Sequence, residues 1–266
     1  MDCCEKVKAK YCNYNETKLK GSYLRTFFCS DNKTYVVKFL NRDFGKRILP
    51  NEYISGLLAK YLKLPCHEIK LVEVSDYLIE GDDNLSTYSE GTHIGIEYDF
   101  SSNVLTPWRL NKVSNIEDIV KILVFDQWIY NSDRGAEYSN WLISNVNGFL
   151  TIIDHSEAFG WRNWEIKNLL TTLNDTLSYT ESEIVYSKLC NLMLPTFNFS
   201  LELEGFINQI RGVPYEVIED IVKSVPNEWK INDVESQHII DYLVSRQGNI
   251  KNLMSSRNNR LLVGTG

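Results

Sequence analysis

The stretch FDQWIYNSDRGAEYSNWLISNVNGFLTIIDHSEAF, residues 125–159, decides how this chain folds. It leaves an apolar helical pattern and then places three polar residues at defined points: Asp133 in a turn, Asn140 before an apolar run, and Asp154 directly after the next one. Phosphoryl transfer with magnesium uses a carboxylate that orients a hydroxyl nucleophile, then an amide and a second carboxylate that hold the metal ions. The order of these side chains therefore predicts an ATP-dependent kinase.

Asp133 is the predicted catalytic residue. It lies in the polar turn Asn131-Ser132-Asp133-Arg134 directly after a strongly apolar segment, so a rigid scaffold would hold it within reach of a ligand. Its predicted role is to orient the acceptor hydroxyl and accept its proton. The alternative is a loop aspartate that stabilises the turn, since Asn, Ser and Asp all favour turns.

Asn140 and Asp154 are the predicted metal ligands, because magnesium prefers the oxygen donors that both side chains offer. Asp154 follows the apolar run LTII at 150–153. A carboxylate at the end of a buried strand is unfavourable unless it is paired or binds a cation. The alternative roles are local: Asn140 would start a strand and Asp154 would cap the following turn.

Lys38 and Glu52 are the predicted counterparts of this segment in the first part of the chain. Lys38 lies inside the apolar segment YVVKF, and Glu52 falls in the first turn of the next predicted helix. A Lys–Glu pair that positions nucleotide phosphates is a recurrent feature of kinases. Strands also carry solvent-facing lysines, and helix N-termini favour glutamate without any ligand.

Gly21-Ser22, before the first predicted strand, is a candidate for covering the phosphates with backbone N–H groups. The Gly-x-Gly-x-x-Gly spacing of a nucleotide loop is absent there.

Periodicity predicts an α+β chain with two lobes, a β-rich N-lobe at residues 1–100 and a mainly helical C-lobe at residues 101–266. The boundary is expected near residues 101–106. The predicted strands are 22–30, 34–40, 68–79 (one or two strands), 94–100, 141–144 and 149–153. The predicted helices are 51–63, 116–130 with a capping box from Ser114 to Glu117, 215–224 and 234–246.

Composition excludes several classes of protein. The net charge of -7 makes general binding to nucleic acid or to an anionic membrane unlikely on electrostatic grounds. No apolar run is long enough to span a membrane and the N-terminal residues lack the apolar core of a signal peptide, which predicts a cytoplasmic protein. The six cysteines include no Cys-x-x-Cys pair, so a zinc site is not expected.

These residues resemble the catalytic segment of HipA-like kinases, relatives of the phosphoinositide-kinase type. The shared motif is Asn131-x-Asp133-Arg134, then Asn140, then IDHSEAF at 153–159. Further similarities to the compact HipA-like branch extend over roughly residues 18–250: YVVKF at 35–39, NEY at 51–53, the Leu-x-Leu-Pro at 62–65 and the Val-Pro-x-x-Trp at 225–229.

The resemblance implies a two-lobed protein-kinase-like fold that uses ATP and Mg²⁺. It assigns Asp133 as the catalytic carboxylate, Asn140 and Asp154 as the Mg²⁺ ligands, and Lys38 as a contact to the phosphates. These are the same roles that the residue types favour on chemical grounds.

The resemblance also implies that the strand at 96–100 lies beside adenine, with the backbone of Glu97 and Tyr98 in contact with the base. One position departs from the family pattern. Gly135 follows Asp133-Arg134, where the family often has a histidine or a hydroxyl residue, so no side-chain role is expected there.

The leading functional hypothesis is an ATP- and Mg²⁺-dependent kinase that phosphorylates Ser or Thr of a protein. A small-molecule kinase, similar to aminoglycoside and choline kinases, would share the chemistry. A non-catalytic nucleotide-binding or interaction module would share only the fold. The acceptor itself is not encoded in any recognisable motif.

Overall fold

The computed structural model describes residues 4–13, 24–40, 45–80, 90–134, 140–177, 188 and 199–263. Its strands are β1 (Lys6–Asn13), β2 (Leu24–Cys29), β3 (Thr34–Lys38), β4 (Ile69–Val74), β5 (Gly91–Glu97), β6 (Ser102–Val104), β7 (Trp141–Ser144) and β8 (Leu150–Ile152). Its helices are α1 (Ile48–Tyr61), α2 (Asp118–Ile129), α3 (Ile166–Thr172), α4 (Phe199–Arg211), α5 (Tyr215–Lys223) and α6 (Asp233–Val263). The predicted β-rich first part and helical second part are confirmed, whereas a lobe boundary at residue 100 stays a prediction.

A closed five-stranded barrel forms the first part, in the order β1-β2-β3-β5-β4. The predicted hairpin is present, since β2 and β3 pair antiparallel from Leu24 opposite Lys38 to Phe28 opposite Thr34. Strand β1, which pairs parallel to β4, is missing from the sequence prediction. Most residues of β1 are polar, and only Val7 and Ala9 are buried in the barrel. Two buried residues give too short an alternation to predict a strand.

Helix α1 is buried along nearly its whole length, because every residue from Ile48 to Ala59 is shielded from solvent. It starts three residues before the predicted Asn51 and ends at Tyr61 rather than at residue 63. Its buried residues are mostly apolar, and Asn51, Glu52 and Ser55 are buried with them. The apolar side chains of α1 pack in the same cluster as those of α2 and the later helices, so this helix joins the barrel to the helical part.

A small antiparallel sheet, β6-β7-β8, carries the second half of the decisive stretch. The predicted hairpin around Asn147-Gly148 is confirmed, with Leu142 opposite Thr151. Strand β6 lies in the predicted boundary region and was not expected. It joins the sheet by pairing Asn103 with Ile143.

The boundaries of several elements differ from the prediction. Strand β4 ends at Val74 and is followed by a 3₁₀ turn, and β5 begins three residues before the predicted start. Helix α2 begins at Asp118, and its N-cap Glu117 forms no side-chain cap, so the predicted capping box is wrong. Instead Asn115 donates to the Asp118 carboxylate at 3.0 Å and to the Leu150 carbonyl at 3.0 Å, which ties α2 to β8.

The 3₁₀ turn Asn227–Trp229 fastens the helical part to the barrel at one residue of β5. Thr92 donates its backbone N–H to the Glu228 carboxylate at 3.0 Å, and its carbonyl accepts from the Trp229 indole at 2.8 Å. Gly91 precedes this contact with φ of 110°, and a Cβ there would lie 2.7 Å from the Glu228 carboxylate. The Val-Pro-x-x-Trp motif therefore satisfies the backbone N–H and carbonyl of Thr92 at the start of β5.

Within the described ranges, no helix is both long and apolar enough to cross a membrane.

Gly148→Ala is expected to lower the free energy of unfolding by at least about 2 kcal/mol, from left-handed strain plus overpacking. Gly148 has φ of 72°, and an added Cβ would lie 2.0 Å from the Lys112 carbonyl oxygen. Gly248 in α6 is the matched control, because a Cβ there meets nothing within 4 Å. Gly248→Ala should raise stability by about 1 kcal/mol in urea unfolding. Equal effects of the two substitutions would contradict the hairpin geometry.

Candidate active site

Lys38 is the centre of a buried charge cluster between the two parts of the chain. Its ammonium nitrogen lies 3.0 Å from Glu52 Oε2 and 2.9 Å from Asp154 Oδ1. The three residues come from the end of β3, the first turns of α1 and the loop after β8. The side chains of Lys38 and Glu52 are almost fully buried, whereas that of Asp154 is 35% exposed. The cluster therefore opens to solvent only on the Asp154 side.

The loop after β8 is held in an unusual backbone shape. Asp154 has φ of 60°, in the left-handed region that a non-glycine residue rarely adopts. Glu52 Oε2 accepts the backbone N–H of His155 at 2.8 Å, and Ser156 donates to Asp154 Oδ1 from its N–H at 3.1 Å and from its hydroxyl at 2.6 Å. These bonds fix Asp154 through the side chain of Glu52 and through its own local turn.

The charges in this cluster stabilise one another. Burial alone would lower the pKa of Lys38, but the carboxylates of Asp154 and Glu52 outweigh burial and raise that pKa above its usual value. Burial would raise the pKa of each carboxyl group, but the Lys38 ammonium holds the pKa of Glu52 and of Asp154 below the ordinary range. All three groups are consequently ionised at neutral pH.

Asp133 and Asn140 lie together, on either side of the segment 134–139. The Asn140 amide donates to the Asp133 backbone carbonyl and, at 3.4 Å, to Asp133 Oδ2. Burial raises the pKa of Asp133, and the negative charge of Asp154 raises it further, while the hydrogen bond from Asn140 opposes the rise. A carboxylate with a raised pKa is a better proton acceptor near neutral pH than an ordinary aspartate.

A fully buried ion pair supports this loop, and the sequence prediction did not include it. Arg134 donates to both carboxylate oxygens of Asp126 at 3.0 and 3.2 Å, and both side chains are 0% exposed. The same guanidinium donates to the carbonyls of Asn140, at 3.3 Å, and of Ile153. The signal for this pair was a lone carboxylate, Asp126, inside the apolar α2. Arg134 thereby connects the residues that flank the predicted catalytic and metal-binding positions.

The two predicted adenine contacts differ in their availability. The Tyr98 N–H already donates to the Thr34 carbonyl at 2.8 Å. Successive residues of a strand direct their backbone groups to opposite edges. Glu97, the last residue of β5, therefore directs its backbone groups away from β3 and to the side of β4, and its contact with adenine stays a prediction. The predicted phosphate-covering residues Gly21 and Ser22, and Gly135, lie outside the described residues.

Asn140 and Asp154 fit a magnesium site by the chemistry of their donors. All the hydrogen bonds to the Asp154 side chain within the described part of the chain converge on Oδ1, which leaves Oδ2 for a cation. The amide nitrogen of Asn140 points to Asp133, so its Oδ1 remains the acceptor. No group of three or more His, Cys, Asp or Glu side chains among the described residues forms a metal site. Magnesium at phosphates needs only one or two protein ligands, because the phosphates and water supply the rest.

The barrel, the helical part and the charge cluster between them define a two-lobed protein-kinase-like fold. The chain belongs to the HipA-like kinase family, since the model of that family matches residues 17–172, more than half of the sequence.

A solved kinase structure has the same overall fold, and two others give lower similarity. The Helicobacter pylori proinflammatory kinase CtkA superposes with a TM-score of 0.60 at 14% identity, over 97% of this chain and 99% of that chain. HipA from a toxin–antitoxin system of Shewanella oneidensis MR-1, solved with HipB and operator DNA, gives 0.48 at 10% identity over 92% of this chain and 63% of that chain. The Golgi casein kinase with Mn and ADP bound gives 0.46 at 12% identity, over 97% and 74%. At these identities the likeness shows the fold alone, and no curated protein matches the chain.

Lys38→Met is expected to lower the free energy of unfolding by about 2 kcal/mol at neutral pH, because it leaves two carboxylates without their cation. Glu52 and Asp154 have lowered pKa values in the wild type, so their stabilisation is present above the ordinary carboxyl range and is lost as pH falls. In the variant the carboxylates repel each other, and protonation relieves that repulsion. The stability difference should therefore shrink towards pH ~4 in urea unfolding.

Lys167→Met is the control for this measurement. Lys167 pairs with Glu165, but the two side chains are 75% and 68% exposed. An exposed pair contributes less than about 1 kcal/mol, so this variant should stay near the wild type at every pH. A Lys38→Met effect that is the same at pH 7 and at pH ~4 would contradict the charge assignment.

Proposed function

We propose that this protein is an ATP- and Mg²⁺-dependent kinase that transfers the γ-phosphate of ATP to a hydroxyl of Ser or Thr in a protein. The observation that carries the proposal is the Lys38 ammonium held at 3.0 Å from Glu52 and 2.9 Å from Asp154. Membership of the HipA-like kinase family supports the same reaction class.

Lys38 is set to bind a phosphate oxygen. An ammonium group has three N–H donors, and Glu52 and Asp154 accept two of them, which leaves the third for ATP. Asp154 and Asn140 would hold Mg²⁺, which when bound neutralises charge on the phosphates. The Glu97 backbone is offered as the adenine contact.

Asp133 is proposed to act on the acceptor. Its carboxylate takes the proton of the acceptor hydroxyl while the hydroxyl oxygen forms a bond to the γ-phosphorus, and the bond from that phosphorus to the β,γ-bridging oxygen breaks to release ADP. Its raised pKa suits this transfer. The Arg134–Asp126 pair and Asn140 hold the loop, so Asp133 needs little rearrangement when the acceptor arrives.

The protein acceptor is an extension of the family assignment, and the cytoplasmic location is proposed from the hydropathy of the sequence alone. Phosphate transfer from labelled ATP to the proteins and to the metabolites of a cell lysate separates a protein kinase from a small-molecule kinase. Label in metabolites alone would reject the protein acceptor and keep the kinase. ATP binding without transfer to either pool would identify a non-catalytic module.

Asp133→Ala and Asp154→Ala are each expected to lower phosphate transfer at least ~100-fold, since each removes a charged partner of the transition state. Only Asp154→Ala should also weaken Mg²⁺-dependent binding of ATP, because Asp133 faces the acceptor and Asp154 faces the metal. Radiolabel transfer and isothermal titration calorimetry measure the two effects separately.

Asp220→Ala is the control, because Asp220 is an exposed aspartate on α5, in the helical part. It should leave transfer and ATP binding unchanged. Normal turnover in both site variants would reject the kinase assignment at these residues. A loss of ATP binding in Asp133→Ala as large as in Asp154→Ala would reject the division of roles.

A further inference from the structure

Asn51, the residue before Glu52 on α1, is a buried hub for the segment that follows the Asp154 loop. Its side-chain amide nitrogen donates to the backbone carbonyls of Ser156 at 2.8 Å, Ala158 at 2.9 Å and Trp161 at 3.2 Å. Its Oδ1 accepts the indole N–H of Trp164 at 2.8 Å. Asn51 is 0% exposed, and its bonds to Ala158 and Trp164 are fully buried, whereas those to Ser156 and Trp161 are partly buried. One side chain thus ties together residues 156–164.

Residues 156–164 have little regular structure of their own. Their only helical element is the 3₁₀ turn Ala158–Gly160, inside which Phe159 has φ of 61°, and Gly160 follows with φ of 91°. A segment without a helix or strand ladder must satisfy its carbonyls elsewhere. The two N–H groups of the Asn51 amide serve three of them, with one N–H shared between two carbonyls, so the shape of this segment depends on α1.

A second set of contacts fixes the far end of the segment to the residues just before α1. The Arg47 N–H donates to the Arg162 carbonyl at 2.9 Å, and the Lys46 N–H donates to Asn163 Oδ1 at 2.8 Å. The Arg47 guanidinium lies 4.7 Å from the centroid of the Trp164 ring. Residues 45–52 and 156–164 therefore form one continuous contact.

The segment presents charged and aromatic groups to solvent. Arg162 pairs with the buried Glu157 through its guanidinium, and its N–H donates to Glu157 Oε2 at 3.3 Å. Trp161 is 54% exposed, and the Arg162 side chain is 32% exposed. The segment begins beside the Asp133 loop, because Arg134, the residue after Asp133, donates to the carbonyl of Ile153, three residues before Ser156.

We propose that Asn51 is a positioning residue that holds residues 156–164 as a preformed acceptor-binding platform. In this arrangement two consecutive residues of α1 have different roles. Glu52 positions Lys38 and the Asp154 loop to bind the nucleotide, and Asn51 positions the platform to bind the acceptor. The acceptor role rests on the proposed kinase function, whereas the ordering of the segment does not.

Two substitutions test the hub with little change of volume. Asn51→Asp keeps the shape but replaces the donating amide by an acceptor that repels three carbonyls. Trp164→Phe removes the indole N–H that Asn51 accepts and keeps an aromatic ring under Arg47. Trp128→Phe is the matched control, because Trp128 loses a comparable indole bond, 2.9 Å to the Leu243 carbonyl, in the helical core.

The first measurement is amide hydrogen exchange of the full-length chain without ligand. Asn51→Asp and Trp164→Phe should speed exchange in residues 156–164 at least ~10-fold relative to Trp128→Phe, while exchange in α6 stays alike in all three. Exchange in residues 156–164 that matches the Trp128→Phe control would overturn the ordering role. This result does not depend on any enzymatic activity.

The second measurement separates nucleotide binding from transfer. A non-hydrolysable ATP analogue with Mg²⁺ should bind both hub variants within ~2-fold of the wild type, while transfer to dephosphorylated casein, used as a probe acceptor, falls at least ~10-fold with a raised KM for casein. A purely structural role would instead weaken nucleotide binding and transfer in parallel, and that outcome would overturn the proposal.

Failure of the proposed function has a separate signature. If the wild-type chain transfers no phosphate to casein or to lysate proteins, the acceptor role of the platform is overturned together with the kinase assignment. The exchange experiment then still reports whether Asn51 orders the segment, so the two failures are distinguished.

Discussion

The contact of Lys38 with Glu52 and Asp154 is the constraint on which the remaining structure depends. One ammonium group serves two carboxylates that arrive from different elements, 14 and 116 residues away along the chain. Removing Lys38 leaves two carboxylates without their cation in a largely buried place, which is strongly unfavourable. The end of β3, the start of α1 and the loop after β8 must therefore lie in contact with one another. The packing of the remaining elements has to be compatible with that contact.

Helix α1 makes this meeting possible because it shares a core with the helical part while it carries Glu52 towards the barrel. Tyr53, the next residue, packs its ring against Trp229 with centroids 5.6 Å apart, and Trp229 bonds to Thr92 of β5. Three consecutive residues, Asn51 to Tyr53, thus contact the segment after Asp154, the charge cluster and the 3₁₀ turn on the barrel edge. A helix in this position couples the nucleotide side, the acceptor side and the junction between the two parts.

Much of the site was predictable because its chemistry is concentrated in residue types with few alternatives. Asp133, Asn140 and Asp154 stand out as polar residues at the ends of apolar runs, and the hairpin around Gly148 follows from local turn preference. The supporting contacts were harder to find. Asp126 and Arg134 form a buried pair only because α2 and its loop fold back on each other, and Asn51 gives no sign in the sequence that four distant residues converge on it.

The sequence by itself determined the α+β order of elements, the hairpins and the identity of the polar residues, since these follow from hydrophobic periodicity and from side-chain chemistry. Only the tertiary structure decided which of those residues meet. The tertiary structure also places β1 in the barrel. This polar strand buries only two residues there, and its pairing with β2 and β4 is a tertiary contact. In the tertiary structure the Tyr98 N–H donates to the Thr34 carbonyl, and Asn51 bonds to four distant residues. Packing, and not local preference, decides hydrogen-bond partners that lie far apart in the sequence.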